Sequence, residues 1–236
     1  MKRREFLIGA GCVAGGGLAA TAMIPGQLEA GLQIAQDVIA HNRPPLVRIN
    51  FQRDPLEAEP WAKKLISAAE DQIGITVIYD PAYIGLSYPN GDLPRERGVC
   101  TDVLIRAYRD AFDFDLQKEV NADMTRDFKA YPKIWGLKRP DRNIDHRRVP
   151  NLRTFFERRA ASLPVSNDPS DYLPGDIVSQ TLPGNLPHIA IVTHYRSRDG
   201  KRPLVIHNIG AGTRLEDRLF DFPITGHYRF QPGVNS

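Results

Sequence analysis

Cys100 stands at the start of a helix-like run, Arg97-Gly98-Val99-Cys100-Thr101-Asp102-Val103-Leu104, and two histidines stand at the edges of strand-like segments, His188-Ile189-Ala190-Ile191-Val192 and Leu204-Val205-Ile206-His207. A thiol nucleophile, an imidazole base and a second imidazole that orients the first are the parts of a cysteine hydrolase. A free thiol has a pKa of about 8.5 and becomes a thiolate near helix N-termini and cations. First-turn amide N–H groups favour an anion, and Arg95 and Arg97 add positive charge, so the sequence predicts an activated Cys100. The same N–H groups, that of Cys100 included, offer a seat for the oxyanion of a tetrahedral intermediate. His188 follows Pro187 and opens an apolar strand, a place where a ring projects from a sheet edge into a cleft; it is the candidate base. Neighbours in a strand point to opposite faces, so only one of His207 and Asn208 faces the site. His207 is taken as the orienter, with Asn208 as the alternative. For each residue taken alone, the plainer reading is an inert buried cysteine or a structural histidine.

These residues need a scaffold. Trp61, Leu65, Ala68 and Ala69 follow helical spacing from Pro60 to Gln72, stopped by Gly74, and Ile75 to Tyr79 reads as a short strand. The Pro-, Gly- and Asn-rich stretch from Pro81 to Gly98 is a loop leading to the cysteine. Val99, Val103, Leu104, Ala107, Tyr108 and Ala111 repeat at three and four residues, which predicts a helix over 99–112 with Cys100 in its first turn. Further helices are expected from Leu116 to Phe128 and from Pro150 to Ala160, separated by a charged loop from Pro140 to Arg148. After Pro174-Gly175-Asp176 come short β-branched or aromatic segments at 177–178, 188–193, 204–209 and 227–230. Helices first and strands last predict an α+β domain with a small antiparallel sheet and a helical insertion.

The chain has 236 residues, 42% of them hydrophobic and 25% charged. Paired Arg3-Arg4 precedes a charge-free, glycine-rich run from Phe6 to Leu28, the form of a twin-arginine export signal. The expected division is a signal segment at 1–30, a tether or arm at 31–56 and a hydrolase domain at 57–236. Periplasmic or cell-envelope localisation follows from that reading, with an uncleaved inner-membrane anchor as the alternative. Removing 1–30 leaves Cys100 as the only cysteine, so no intramolecular disulfide can form. It also lowers the net charge from +3 to +2, which argues against a nucleic-acid partner. A monomer needing no cofactor, with the twin-arginine export machinery as its one protein partner, is expected.

The order of Cys100, Tyr172-Leu173-Pro174-Gly175-Asp176-Ile177-Val178, His188-Ile189-Ala190-Ile191-Val192 and His207 resembles the NlpC clan of papain-like cysteine peptidases, over about Tyr83 to Phe230. More closely, Asn90-Gly91-Asp92, Pro140 to Arg148, His207-Asn208-Ile209-Gly210 and Ile224-Thr225-Gly226-His227-Tyr228 look like an uncharacterised exported bacterial domain family within that clan. The resemblance implies a papain-like fold, catalysis by Cys100, His188 and His207, and an amide in bacterial cell-wall peptides or glycopeptides as substrate. Tyr88 falls where the clan has a loop tyrosine, and is a candidate substrate or oxyanion donor or else a buried aromatic. Cys100-Thr101-Asp102 replaces the clan's usual Cys-Ser-Gly. Asp102 opposes a thiolate unless it turns away or pairs with Arg97 or Arg106. Arg142, Asn143 and His146, in the segment 141–148, are placed to cradle substrate carboxylates, or else belong to a surface ion network. Asp176 reads as a turn-stabilising residue.

Three rival readings use the same residues. One is a catalytically silent cell-wall binding module of this fold. Another is an acyltransferase, which would use the same thiol. The third is a zinc hydrolase through His188, His194 and His207, although no His-Glu-x-x-His or paired-cysteine spacing accompanies them.

Overall fold

Pro60 sits at the N-terminus of the first helix, α1 (Pro60–Glu70), where its missing N–H costs nothing, and the helix buries Ala62, Leu65, Ile66, Ala68 and Ala69 on one face. These positions come from a computed structural model that describes residues 55–234. The export signal expected at 1–30 and nearly all of the arm expected at 31–56 lie outside the described residues.

The β-branched run after α1 becomes only a two-residue strand, β1 (Ile78–Tyr79), paired in parallel with β2 (Arg97–Gly98). Ile73, Ile75, Val77 and Ile78 stay exposed. Strand propensity without a burial face was not enough to extend the pairing.

The helix that Cys100 opens, α2, runs Cys100–Phe112. Its start is fixed by Asp102, whose Oδ2 accepts the Val99 N–H at 2.7 Å, and its end by Asp113 in the left-handed region at φ 54°. Helix α3 (Leu116–Arg126) begins at Asp115, whose carboxylate accepts the Gln117 N–H at 3.1 Å. It stops short of the expected Phe128, which instead opens a separate 3-10 turn, Phe128–Ala130. The charged loop holds another 3-10 turn, Asp145–Arg147, and leads directly into α4 (Val149–Arg158).

The remaining chain forms one antiparallel sheet from β3 (Ser162–Leu163), β4 (Ile177–Leu182), β5 (Leu186–Arg196), β6 (Pro203–Asn208), β7 (Thr213–Glu216) and β8 (Ile224–Tyr228), in the order β3-β8-β4-β5-β6-β7. The α+β class with an antiparallel sheet is therefore observed, with four α-helices among the described residues. β3 was not foreseen, because a strand of two residues carries almost no periodicity, and β7 was not foreseen either.

The period of two divides the sheet into two faces. Ile177, Ile189, Ile191 and Ile206 join Leu65, Val103, Leu104 and Tyr108 in the main core beneath α1 and α2. Val178, Ala190, Val192 and Val205 lie on the opposite face under Tyr172 and Leu219. Each fully buried aliphatic or aromatic side chain of this kind contributes roughly 1.5–3 kcal/mol, so both faces are specified. Tyr108 ties α2 to the chain beyond β8 by donating to the Phe230 carbonyl at 2.7 Å.

Candidate active site

Cys100 occupies the first turn of α2, 5% exposed. Amide N–H groups of Ile189, Thr101 and Cys100 itself point at its sulfur. The Ile189 amide lies in the plane of the sheet, as strand amides do, so the sulfur sits level with β5, one residue along from His188. The segment before the nucleophile is held from β6, where Asn208 Nδ2 donates to the Gly98 carbonyl at 3.0 Å.

Across the other face, three side chains form a diagonal over three strands. His188 on β5 and His207 on β6 share parity with Ala190, Val192 and Val205, and their rings meet edge to face with Nε2 of His188 2.8 Å from Nδ1 of His207. Glu216 on β7 is registered opposite Val205, and its Oε2 lies 2.9 Å from His207 Nε2. Arg218 Nε stands 3.3 Å from the same oxygen. His207, not Asn208, is thus the residue brought to His188; Asn208 lies on the opposite parity and serves the backbone before Cys100.

Protonation departs from the expected thiolate. Burial pushes the Cys100 thiol up to about 12, with Asp102 adding to the rise, against the opposing pull of the three amides. Arg95 and Arg97, expected to help, are drawn away to Asp110 and Asp80. His188 is held well below the usual imidazole range by burial, by His207 and by the Arg218 charge. The resting pair is a neutral thiol and a neutral ring. The open cleft expected around them is also absent: His188 and His207 are each 1% exposed.

The other candidates are mostly structural. Asp102 pairs with Arg147, neither with Arg97 nor with Arg106, through contacts of 2.9 and 3.0 Å. Its charge is thereby paired while it caps the helix, although it still adds to the rise at the thiol. Arg106, fully buried, grips Asp92 and the carbonyls of Leu93 and Arg97, tying down the loop that precedes Cys100.

The 141–148 segment is neither a carboxylate cradle nor a solvated ion network but a buried clamp. Asn143 accepts the Leu86 N–H at 3.0 Å, and Arg147 holds the carbonyls of Asp80 and Ala82. His146 is buried, its pKa lowered to about 3 mainly by desolvation, with Nδ1 lacking a protein partner. Arg142 alone stays exposed, its guanidinium 5.5 Å from the centre of the Tyr88 ring. Tyr88, in the 81–98 loop, is 37% exposed, and its ring meets Arg142.

A different tyrosine approaches the thiol. Tyr79 is registered against Gly98, two residues before Cys100, and burial raises its pKa, with Cys100 and Asp102 adding to the rise and Arg147 opposing it. Neither Tyr79 nor Glu216 was foreseen. The signal for Glu216 was present, since Thr213-Arg214-Leu215-Glu216 alternates after the Gly210-Ala211-Gly212 turn.

Asp176, fully buried, accepts from the Leu173 N–H and from Arg229, and its Oδ2 is 2.8 Å from His227 Nε2. That cluster braces the turn into β4 as expected. His194, the third ligand of the zinc alternative, lies roughly 20 Å along β5 from His188. No group of three or more His, Cys, Asp or Glu suited to a metal occurs among the described residues. A groove of about 580 Å³ lined by Trp61, Lys64, Phe112 and Gln231 lies at the far end of α2, roughly 18 Å from Cys100.

Comparison with known proteins places this site in context. A profile of the family described as "Domain of unknown function (DUF1287)" matches residues 66–230, which takes in all the residues of the site. The chain is 56% identical over 166 residues to the Escherichia coli (strain K12) protein called "Uncharacterized protein YijF", covering 70% of this chain and 80% of that one.

Proposed function

We propose that this chain, which belongs to the DUF1287 family, is an exported cysteine amidase or peptidase that cleaves an amide bond in bacterial cell-wall peptides. The observation that carries the reading is that Cys100 lies at the amide of Ile189, the residue next to His188 on β5, while the His188 ring contacts His207 and, through it, Glu216. The resemblance to the papain-like NlpC clan supports the same fold and chemistry and supplies the cell-wall substrate, while the export route is read from Arg3-Arg4 and the charge-free run that follows. No helix among the described residues is long and apolar enough to cross a membrane.

The neutral resting pair fits a mechanism in which proton transfer accompanies attack. His188 takes the thiol proton as Cys100 sulfur bonds to the substrate carbonyl carbon. The oxyanion is held by the N–H groups of Cys100 and Thr101. The intermediate collapses, the C–N bond breaks, and His188 returns the proton to the leaving amine. Water, deprotonated by His188, then attacks the thioester and releases the acid with the free thiol. Burial of the thiol supports a step in which the strand-side segment carrying Tyr79 moves aside before substrate enters.

The test is incubation of purified protein and its Cys100→Ala variant with defined cell-wall fragments, reading product masses. Cleavage by the parent and none by the variant, with unchanged circular dichroism, is expected. Equal turnover by both ends the reading.

A further inference from the structure

Two facing histidine nitrogens 2.8 Å apart share one hydrogen, and the His188–His207 contact alone does not say which ring supplies it. With the hydrogen on His188 Nε2, Nδ1 of His188 is a bare lone pair that can take a proton. With the hydrogen on His207 Nδ1, a neutral His188 must carry its own hydrogen on Nδ1 and cannot act as a base there. Something beyond the pair must choose.

Glu216 is placed to choose. Its Oε2 receives both His207 Nε2 at 2.9 Å and Arg218 Nε at 3.3 Å. Arginine only donates, so the carboxylate is engaged as an anion, and an anion only accepts. Burial works against that charge, but the hydrogen bond from His207 and the charges of Arg218 and Arg214 hold Glu216 below the usual carboxylate range. His207 Nε2 must therefore carry its hydrogen. In the neutral form of the His207 ring, with that hydrogen on Nε2, Nδ1 is bare and accepts from His188 Nε2. We infer that Glu216 is a positioning residue that fixes the hydrogens of both rings and leaves His188 Nδ1 free to act as the base for Cys100; the role as base rests on the hydrolase reading above.

Glu216→Gln keeps size and shape but replaces an obligate acceptor by an amide that can donate to His207 Nε2, which permits the reversed arrangement. Ring nitrogen-15 spectra of the full chain report each tautomer directly and need no variant. In the parent protein both rings should carry hydrogen on Nε2. In Glu216→Gln a fraction of His188 should shift to the Nδ1–H form. The kcat on cell-wall fragments should fall on the order of 100-fold or more, with KM and melting temperature little changed. A parent spectrum with hydrogen on His188 Nδ1, or a Gln variant that keeps both tautomers and kcat, overturns the inference. The two readings separate cleanly. Tautomers that respond to Glu216 in a protein without hydrolytic activity support the positioning role and remove the hydrolase. Activity that depends on Cys100 and ignores Glu216 does the reverse.

Discussion

Asp102 and Arg147, 45 residues apart in sequence, meet as a buried two-point ion pair at 2.9 and 3.0 Å, and Arg147 continues from there to the carbonyls of Asp80 and Ala82. One contact thus joins the start of the nucleophile helix to both loops around it. Removing one partner leaves the other charge buried without compensation, which typically costs about 3–5 kcal/mol. Arg147→Leu and Asp102→Leu should each lower urea-unfolding stability by that order, and the double variant by less than the sum. Additive losses would mean that the pair does not act as a unit.

Thiol reactivity gives a second check. With burial pushing Cys100 up to about 12, iodoacetamide should label the native protein at pH 7 more slowly than it labels a cysteine in an unfolded peptide, and the rate should keep rising well beyond pH 9. The same shift bears on stability. The fold holds the thiol proton that the unfolded chain releases above about 8.5, so stability falls as pH rises from there toward about 12. Cys100→Ala should flatten that decline, measured by melting temperature across the alkaline range.

On the acid side the sign is set by histidine. His146 is pushed down to about 3, chiefly by burial, whereas an unfolded histidine takes a proton near 6.5. The unfolded chain therefore binds more protons between these values, and stability drops as pH falls from about 6.5 toward 3. His188, lowered as well, acts in the same direction. His146→Leu should reduce the loss in melting temperature between pH 7 and pH 4; an unchanged slope would point to other groups.

Gly212 latches the β6–β7 turn to the segment beside the thiol. The Thr213 N–H donates to the Thr76 carbonyl at 2.8 Å, and a Cβ on Gly212 would meet that carbonyl oxygen at 2.6 Å with φ at +83°. Both space and backbone forbid a side chain. Gly212→Ala is expected to cost about 1–3 kcal/mol and to raise the hydrogen-exchange rate of the Thr213 amide.

Asn208 supports the site from the backbone side. Asn208→Ala removes its bond to the Gly98 carbonyl, at a stability cost of about 1–2 kcal/mol. Hydrolysis of cell-wall fragments should weaken while the His188 and His207 nitrogen spectra stay as in the parent. A change in those spectra would assign Asn208 to the imidazole pair instead.

Much of this arrangement was legible beforehand. The three- and four-residue apolar spacing after Val99 marks α2 with Cys100 in its first turn, and the alternating segments around His188 and His207 mark β5 and β6. Strand parity lets only one of His207 and Asn208 meet His188 and does not say which. What stayed hidden depends on long-range contact. Which cation pairs with Asp102 turns on an arginine from another element, and no local pattern names Arg147. The expected thiolate failed because helix-terminus and cation effects were weighed without the burial that outweighs them here. Arg142, Asn143 and His146 looked like a substrate cradle because charge density in a sequence says nothing about which way the charges face.

The hairpin between Asn208 and Thr213 carries a further consequence. Since adjacent positions on a strand project to opposite sides, adding one residue in that turn would put Leu215 where Glu216 now meets His207, whereas deleting one would put Asp217 there. Such a length change would leave every strand present and the hydrophobic interior largely intact. Loop length in this hairpin therefore decides what meets His207, and homologous chains with one residue more in the turn are expected to have lost the acidic end of the array.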